Sequence, residues 1–141
     1  MESKIRAGET VVNESEMLAF WQSRLDEDER TAEGARHGLS GEWTTDGSYP
    51  VSVANAPEYA DVFTEAVVFD EGSPSEEQAE HIAKQDPART LRETQAARKR
   101  LAALSDAIEA GHDSYDLASA LLPYELLPYA DHPDYQEGWR P

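Results

Sequence analysis

The sequence predicts a mainly helical α+β fold: an amphipathic N-terminal helix and a long central helix packed with a small antiparallel sheet, closed by an irregular aromatic tail. Three observations predict it. Two long stretches place apolar residues at helical spacing: Met17, Leu18, Trp21 and Leu25, then Leu91, Ala97, Leu101, Leu104 and Ile108. Between them, glycines and prolines punctuate short runs rich in aromatic and β-branched residues. The stretch from Pro123 to Pro141 holds four prolines and three tyrosines, which no single regular element accommodates.

Taken in order, residues 1–12 are polar and predicted flexible. Asn13 is placed to cap a helix over about 14–33, with Glu16 at the capping-box position and Val12 and Met17 as a hydrophobic staple. Asp26, Glu27, Asp28 and Glu29 lie off its apolar stripe, and Gly34 or Gly38 ends it. Trp43-Thr44-Thr45, Val51-Ser52-Val53 and Glu65–Phe69 are the strand candidates, with Asp46-Gly47 as a tight hairpin turn between the first two. Ser73-Pro74-Ser75-Glu76 predicts a helix over about 74–85, with Ser73 as its cap. Asp86-Pro87 restarts the chain as a new helix that runs to Ala110 and stops at Gly111. Asp113 caps a shorter helix through Leu122, which Pro123 terminates, and residues 123–141 wrap the domain as a tail. Trp21 and Leu25 are expected to bury against Leu101, Leu104 and Ile108, because each stripe needs an apolar partner. The whole reads as one domain, 1–141.

Charge narrows function more than any motif does. The 141 residues carry 29 acidic and 12 basic side chains, a net charge of −17. Such a surface repels phosphate backbones and anionic lipid, so direct nucleic-acid or membrane binding is not expected, whereas a protein with a basic surface fits. There is no cysteine, which excludes disulfides, thiolate zinc sites and a Cys nucleophile. The first ten residues hold no apolar run of signal-peptide length, and the expected compartment is the cytoplasm.

Motifs for catalysis are missing. Gly-x-Ser-x-Gly, Ser-x-x-Lys and glycine-rich phosphate loops are all absent, and carboxylates are too numerous for one pair to stand out. Of the four histidines, His81 and His132 suggest one metal alternative. With Asp86 and Asp134 they form a ligand set if the tail folds over the helix break, although no established ligand spacing supports it. Arg89, Arg92, Arg98, Lys99 and Arg100 form a basic cluster, in which Arg89, Arg92 and Lys99 share a helix face. That face is either a recognition surface or an internal foil to the acidic first helix. Tyr124, Tyr129, Tyr135 and Trp139 concentrate aromatic area in the tail, which either seals the core or presents Trp139 and Arg140 to a partner.

The residues His81-Ile82-Ala83-x-x-Asp86-Pro87-Ala88-Arg89-x-Leu91-Arg92-Glu93 and the ending Leu127-Pro128-Tyr129-Ala130-Asp131-His132-Pro133-Asp134-Tyr135…Trp139-Arg140-Pro141 resemble a family of small uncharacterised proteins. Its members occur in actinobacteria and their bacteriophages. Phe20-Trp21-x-x-Arg24-Leu25-Asp26-Glu27-Asp28-Glu29 fits the same pattern. Many members carry a cysteine-containing insert, zinc-binding in appearance, between the long helix and the tail. Here that stretch, Gly111–Tyr124, has no cysteine. The resemblance implies origin rather than mechanism. It favours an accessory protein acting in the host cytoplasm on a host or virion protein.

Together these readings predict a non-enzymatic acidic protein-interaction module with no cofactor, in one version a DNA mimic built on helix 1 and residues 58–80. The candidate binding residues are Arg89, Arg92, Lys99, Tyr129, His132, Trp139 and Arg140. A metal-dependent hydrolase using His81, Asp86, His132 and Asp134 is the alternative.

Overall fold

Asn13 opens the first helix, α1 (Glu14–Ala35), by accepting the Glu16 N–H on its side-chain oxygen at 3.1 Å. The computed structural model describes residues 13–61, 65–69 and 74–141. Residues 1–12, with the Val12 half of the staple, and the Ser73 cap lie outside the described residues. Three more helices follow: α2 (Glu76–Lys84), α3 (Pro87–Ala110) and α4 (His112–Leu126). Short strands β1 (Trp43–Thr44), β2 (Val51–Val53) and β3 (Ala66–Val68) form one antiparallel sheet in that order. The fold is therefore mainly helical α+β. Its described residues group into two compact units, one holding the chain up to Leu25 with Ala97–Pro141, the other Asp26–Ala96.

In the first unit the core gathers Met17, Phe20, Trp21 and Leu25 of α1 with Ala97 of α3, Leu122 and Leu126 of α4, and Tyr135 and Trp139 of the tail. Leu101, Leu104 and Ile108 pack against this cluster but stay half-buried. The expected α1–α3 seam exists, yet α4 and the tail supply the deepest partners. Proline does not stop α4. Pro123 lies inside the helix, which continues to Leu126, so the irregular segment starts four residues later than expected. An internal proline forfeits one helical hydrogen bond and crowds the preceding turn, at about 3 kcal/mol. Here Ala118, Leu122 and Leu126, spaced by four and at most 2 % exposed, keep one continuous face in the core across it. Asp113 is not the cap either; Gly111, at φ 72°, takes that position without a side-chain bond. The tail then forms two 3-10 turns, Leu127–Tyr129 and Glu137–Trp139.

In the second unit, Trp43 pairs with Val53 and Thr44 with Ser52, which leaves residues 45–50 as the β1–β2 loop instead of a two-residue turn at Asp46-Gly47. Pro50 has no N–H to extend the ladder, and Tyr49 instead sets its ring edge-on to Phe69 at 6.0 Å. Gly47 lies so close to the Ser52 hydroxyl that any β-carbon there would collide with it. All three β2 residues are buried, and α2 packs on β1 and β2. The α2 cap is Ser75: its hydroxyl accepts the Gln78 N–H at 3.1 Å, and the Gln78 side chain accepts the Ser75 N–H at 2.9 Å.

The first turn of α1 is tied to α4 through Glu14, whose carboxylate accepts the Tyr115 hydroxyl and, at 3.4 Å, that of Ser119. Donation to the Glu14 carboxylate raises the Tyr115 pKa above its usual 10. A raised folded-state pKa means that the bond stabilises fully below the unfolded value and is lost as pH climbs through the folded one. Tyr115→Phe should lower unfolding free energy by about 0.5–1.5 kcal/mol at neutral pH. Denaturant titrations against pH should show the gap between parent and variant closing above about pH 10.

Candidate functional site

Two surfaces, one in each unit, collect the residues singled out by sequence. In the unit of Asp26–Ala96, the carboxylate of Asp86 caps α3, as the Asp86-Pro87 pattern predicts. Its Oδ1 accepts the Arg89 N–H at 2.8 Å. Its Oδ2 accepts the Trp43 N–H at 3.1 Å, and the Gly41 carbonyl accepts the Ala88 N–H at 2.9 Å. The first turn of α3 thus holds the entry to β1. Gly41 permits this close approach, since a β-carbon there would sit 3.1 Å from the Ala88 nitrogen. Beside this junction lies an open concavity of about 590 Å³, whose charged lining is Lys84, Arg89 and Arg92 against Glu80 and Asp86. Arg89 is paired with Glu93 at 2.8 Å, and the buried Trp43 indole N–H finds no acceptor among the described residues. The lining offers cationic contacts and contains no Ser, Cys or His nucleophile–base pair.

The basic run does not act as a block. Lys99 is exposed and does not line that concavity. Arg100 bonds Glu125 of α4 at 2.7 Å, so the counter-charge found for it sits on α4.

In the other unit, the tail closes over α1 at the Phe20 ring. Tyr129, His132, Tyr135 and Trp139 all pack on that ring, with centroids 5.1–6.4 Å away and tilted or edge-on geometry. The Arg24 guanidinium stands 5.3 Å from the Phe20 centroid and also meets His132 Nε2. The Nδ1 of His132 accepts the Asp134 N–H at 3.0 Å. Trp139 is buried in the last 3-10 turn. Arg140 stays exposed, held by two bonds to Glu137 at 3.0 and 3.3 Å. That hydrogen bond, more than the charge alone, holds the Glu137 carboxyl below its usual pKa and raises that of Arg140. Of the two tail residues considered for display, Arg140 alone reaches the surface.

Asp134 is exposed, as is His81 on α2. Among the described residues no group of three or more His, Asp or Glu is placed to hold a metal ion. His132 Nδ1 accepts the Asp134 N–H, which uses the ring's acceptor lone pair and leaves none for a metal ion. Nothing among the described residues supports the hydrolase alternative.

Sequence reasoning missed one surface. Leu117, Leu121, Tyr124 and Leu127 are all exposed, the first at 65 %. The spacing of 117, 121 and 124 was legible as a helical face, but the assumed stop at Pro123 cut the element short.

A family of unknown function, DUF6221, matches residues 14–141. The chain belongs to the DUF6221 family. No curated protein and no solved structure matches it. The DUF6221 match spans the whole Phe20 aromatic cluster and the Asp86 cap, and begins at Glu14, the residue that bonds Tyr115. No helix is long and apolar enough to cross a membrane among the described residues.

A packing role for His132 has a direct check. His132→Ala should lower the melting temperature by the same amount with and without EDTA, and the parent's melting should not respond to the chelator. A stoichiometric metal in elemental analysis, with a melting point that falls on chelation, would restore the metal alternative.

Proposed function

We propose that this chain is a non-enzymatic acidic protein-interaction module whose partner presents a basic surface. In the setting that the resemblance implies, the module is a phage accessory protein and the partner a host or virion protein met in the host cytoplasm. The observation that supports this reading is how the cations are used. The ion pairs Arg36–Glu33, Arg89–Glu93, Arg100–Glu125 and Arg140–Glu137 each neutralise a carboxylate of the same protein. The chain as a whole keeps a charge of −17. Uncompensated carboxylates attract basic surfaces and speed their encounter.

The DNA-mimic version rests on α1. Asp26, Glu27, Asp28 and Glu29 are consecutive on that helix, within about 6 Å of axis. That charge density approaches the one phosphate per about 1.7 Å of duplex DNA. Residues 62–64 and 70–73 of the other acidic segment lie outside the described residues.

The test is capture from actinobacterial lysate on the immobilised protein, washed at low and high salt and challenged with duplex DNA. Retained proteins should release by about 0.5 M salt, where screening falls to a few ångströms. They should also be displaced by DNA in the mimic version. Retention indifferent to salt would contradict the charge-based reading.

A further inference from the structure

Of the six large hydrophobic side chains exposed among the described residues, four lie on α4 or just after it. Leu117, Leu121 and Tyr124 are 65 %, 44 % and 61 % exposed, and Leu127 continues the strip at 37 %. At steps of four and three residues, the first three lie on one side of the helix. The opposite side is fully used: Ala118, Leu122 and Leu126 are in the core, and Tyr115 and Ser119 bond Glu14. Folding of this unit thus does not need the exposed strip. Its apolar area is on the order of 400 Å², within the range of functional patches on monomers. It is about half of what one side of a standard interface covers.

We propose that this face of α4 docks a cationic amphipathic helix of a protein partner. The charges around the strip select that occupant. Exposed Asp113 and Asp116 rim it on one side, α4 contains no Lys or Arg, and on the other side Glu125 is neutralised by Arg100. A second copy laid face to face offers no Lys or Arg on α4 to meet Asp113 and Asp116 and lacks the area for a stable dimer. An anionic lipid surface meets the same repulsion. A helix with apolar anchors at i, i+4 and i+7 and flanking Lys or Arg matches both the strip and its rim. This inference rests on the proposed acidic interaction module and adds where the partner binds and what shape it takes.

The experiment measures fluorescence anisotropy with two labelled synthetic peptides. One is a helix of about 14 residues, roughly four turns, with Leu on one face and Lys flanking it. The other has the same lysines with Ser in place of Leu. Leu117→Ser/Leu121→Ser should weaken the Leu/Lys peptide at least about tenfold, as loss of interface anchors does, and leave the Ser/Lys peptide within about twofold. Both positions are exposed, so circular dichroism and melting should match the parent. Asp113→Asn/Asp116→Asn gives a second arm, which should weaken the Leu/Lys peptide and flatten its salt dependence. If both peptides bind parent and leucine variant alike, the docking face is overturned and the acidic module stands. If neither binds the parent, both readings fall. A parent dimer that the leucine variant dissociates, or vesicle binding that it abolishes, would replace the helix with a second copy or a membrane and overturn the proposal.

Discussion

The Phe20 ring is the point on which one unit closes. Four tail side chains within residues 129–139 cannot form a core among themselves, because two short 3-10 turns do not align them on one face. Set around one ring on a preformed helix, they can: Tyr129, His132, Tyr135 and Trp139 each find the same partner. Tyr135 and Trp139 also pack edge-on to each other at 5.6 Å. Backbone bonds such as Tyr135 N–H to the His132 carbonyl, 3.0 Å, turn the tail so that these rings converge. The cluster lets a chain with a large charge excess bury aromatic area where aliphatic residues are few.

Helix starts were legible because capping is local chemistry. Asn13, Asp86 and the Pro87 that follows it act as their spacing implies. The Ser73 reading missed by two residues because Ser75 with Gln78 makes the same reciprocal bonds as a Ser–Glu box. Pro123 misled for a different reason. The local rule against an internal proline was overridden by Leu122 and Leu126, whose burial only the tertiary fold reveals. The β1–β2 loop was hidden in the same way, since its length follows from the Thr44–Ser52 pairing. Among candidate site residues, the composition of the tail was visible but its direction was not. Whether Trp139 faces the core or a partner depends on where Phe20 lies, and no spacing within the tail encodes that.

These placements separate the side chains that hold the fold from those that stay outside its packing. Asp86 holds the start of α3 and the entry to β1. His132 and Trp139 hold the tail, and Tyr115 holds α1 to α4. Left over are the net charge of −17, the cationic concavity beside Lys84 and Arg92, and the apolar face of α4. None of these brings together a nucleophile, a base and an oxyanion donor, and all can make contacts.

The central claim is that the aromatic C-terminal string is a fastener whose socket is Phe20. Hydrogen exchange of the backbone amides of 129–140, compared between parent and Phe20→Ala, tests it most directly. The account predicts that Phe20→Ala costs about 3–5 kcal/mol. It also predicts that protection is lost together at Ala130, His132, Tyr135 and Trp139, whose N–H groups bond within the tail. Tail amides that keep their protection in a folded Phe20→Ala variant would show that the string is ordered without its socket and contradict the account.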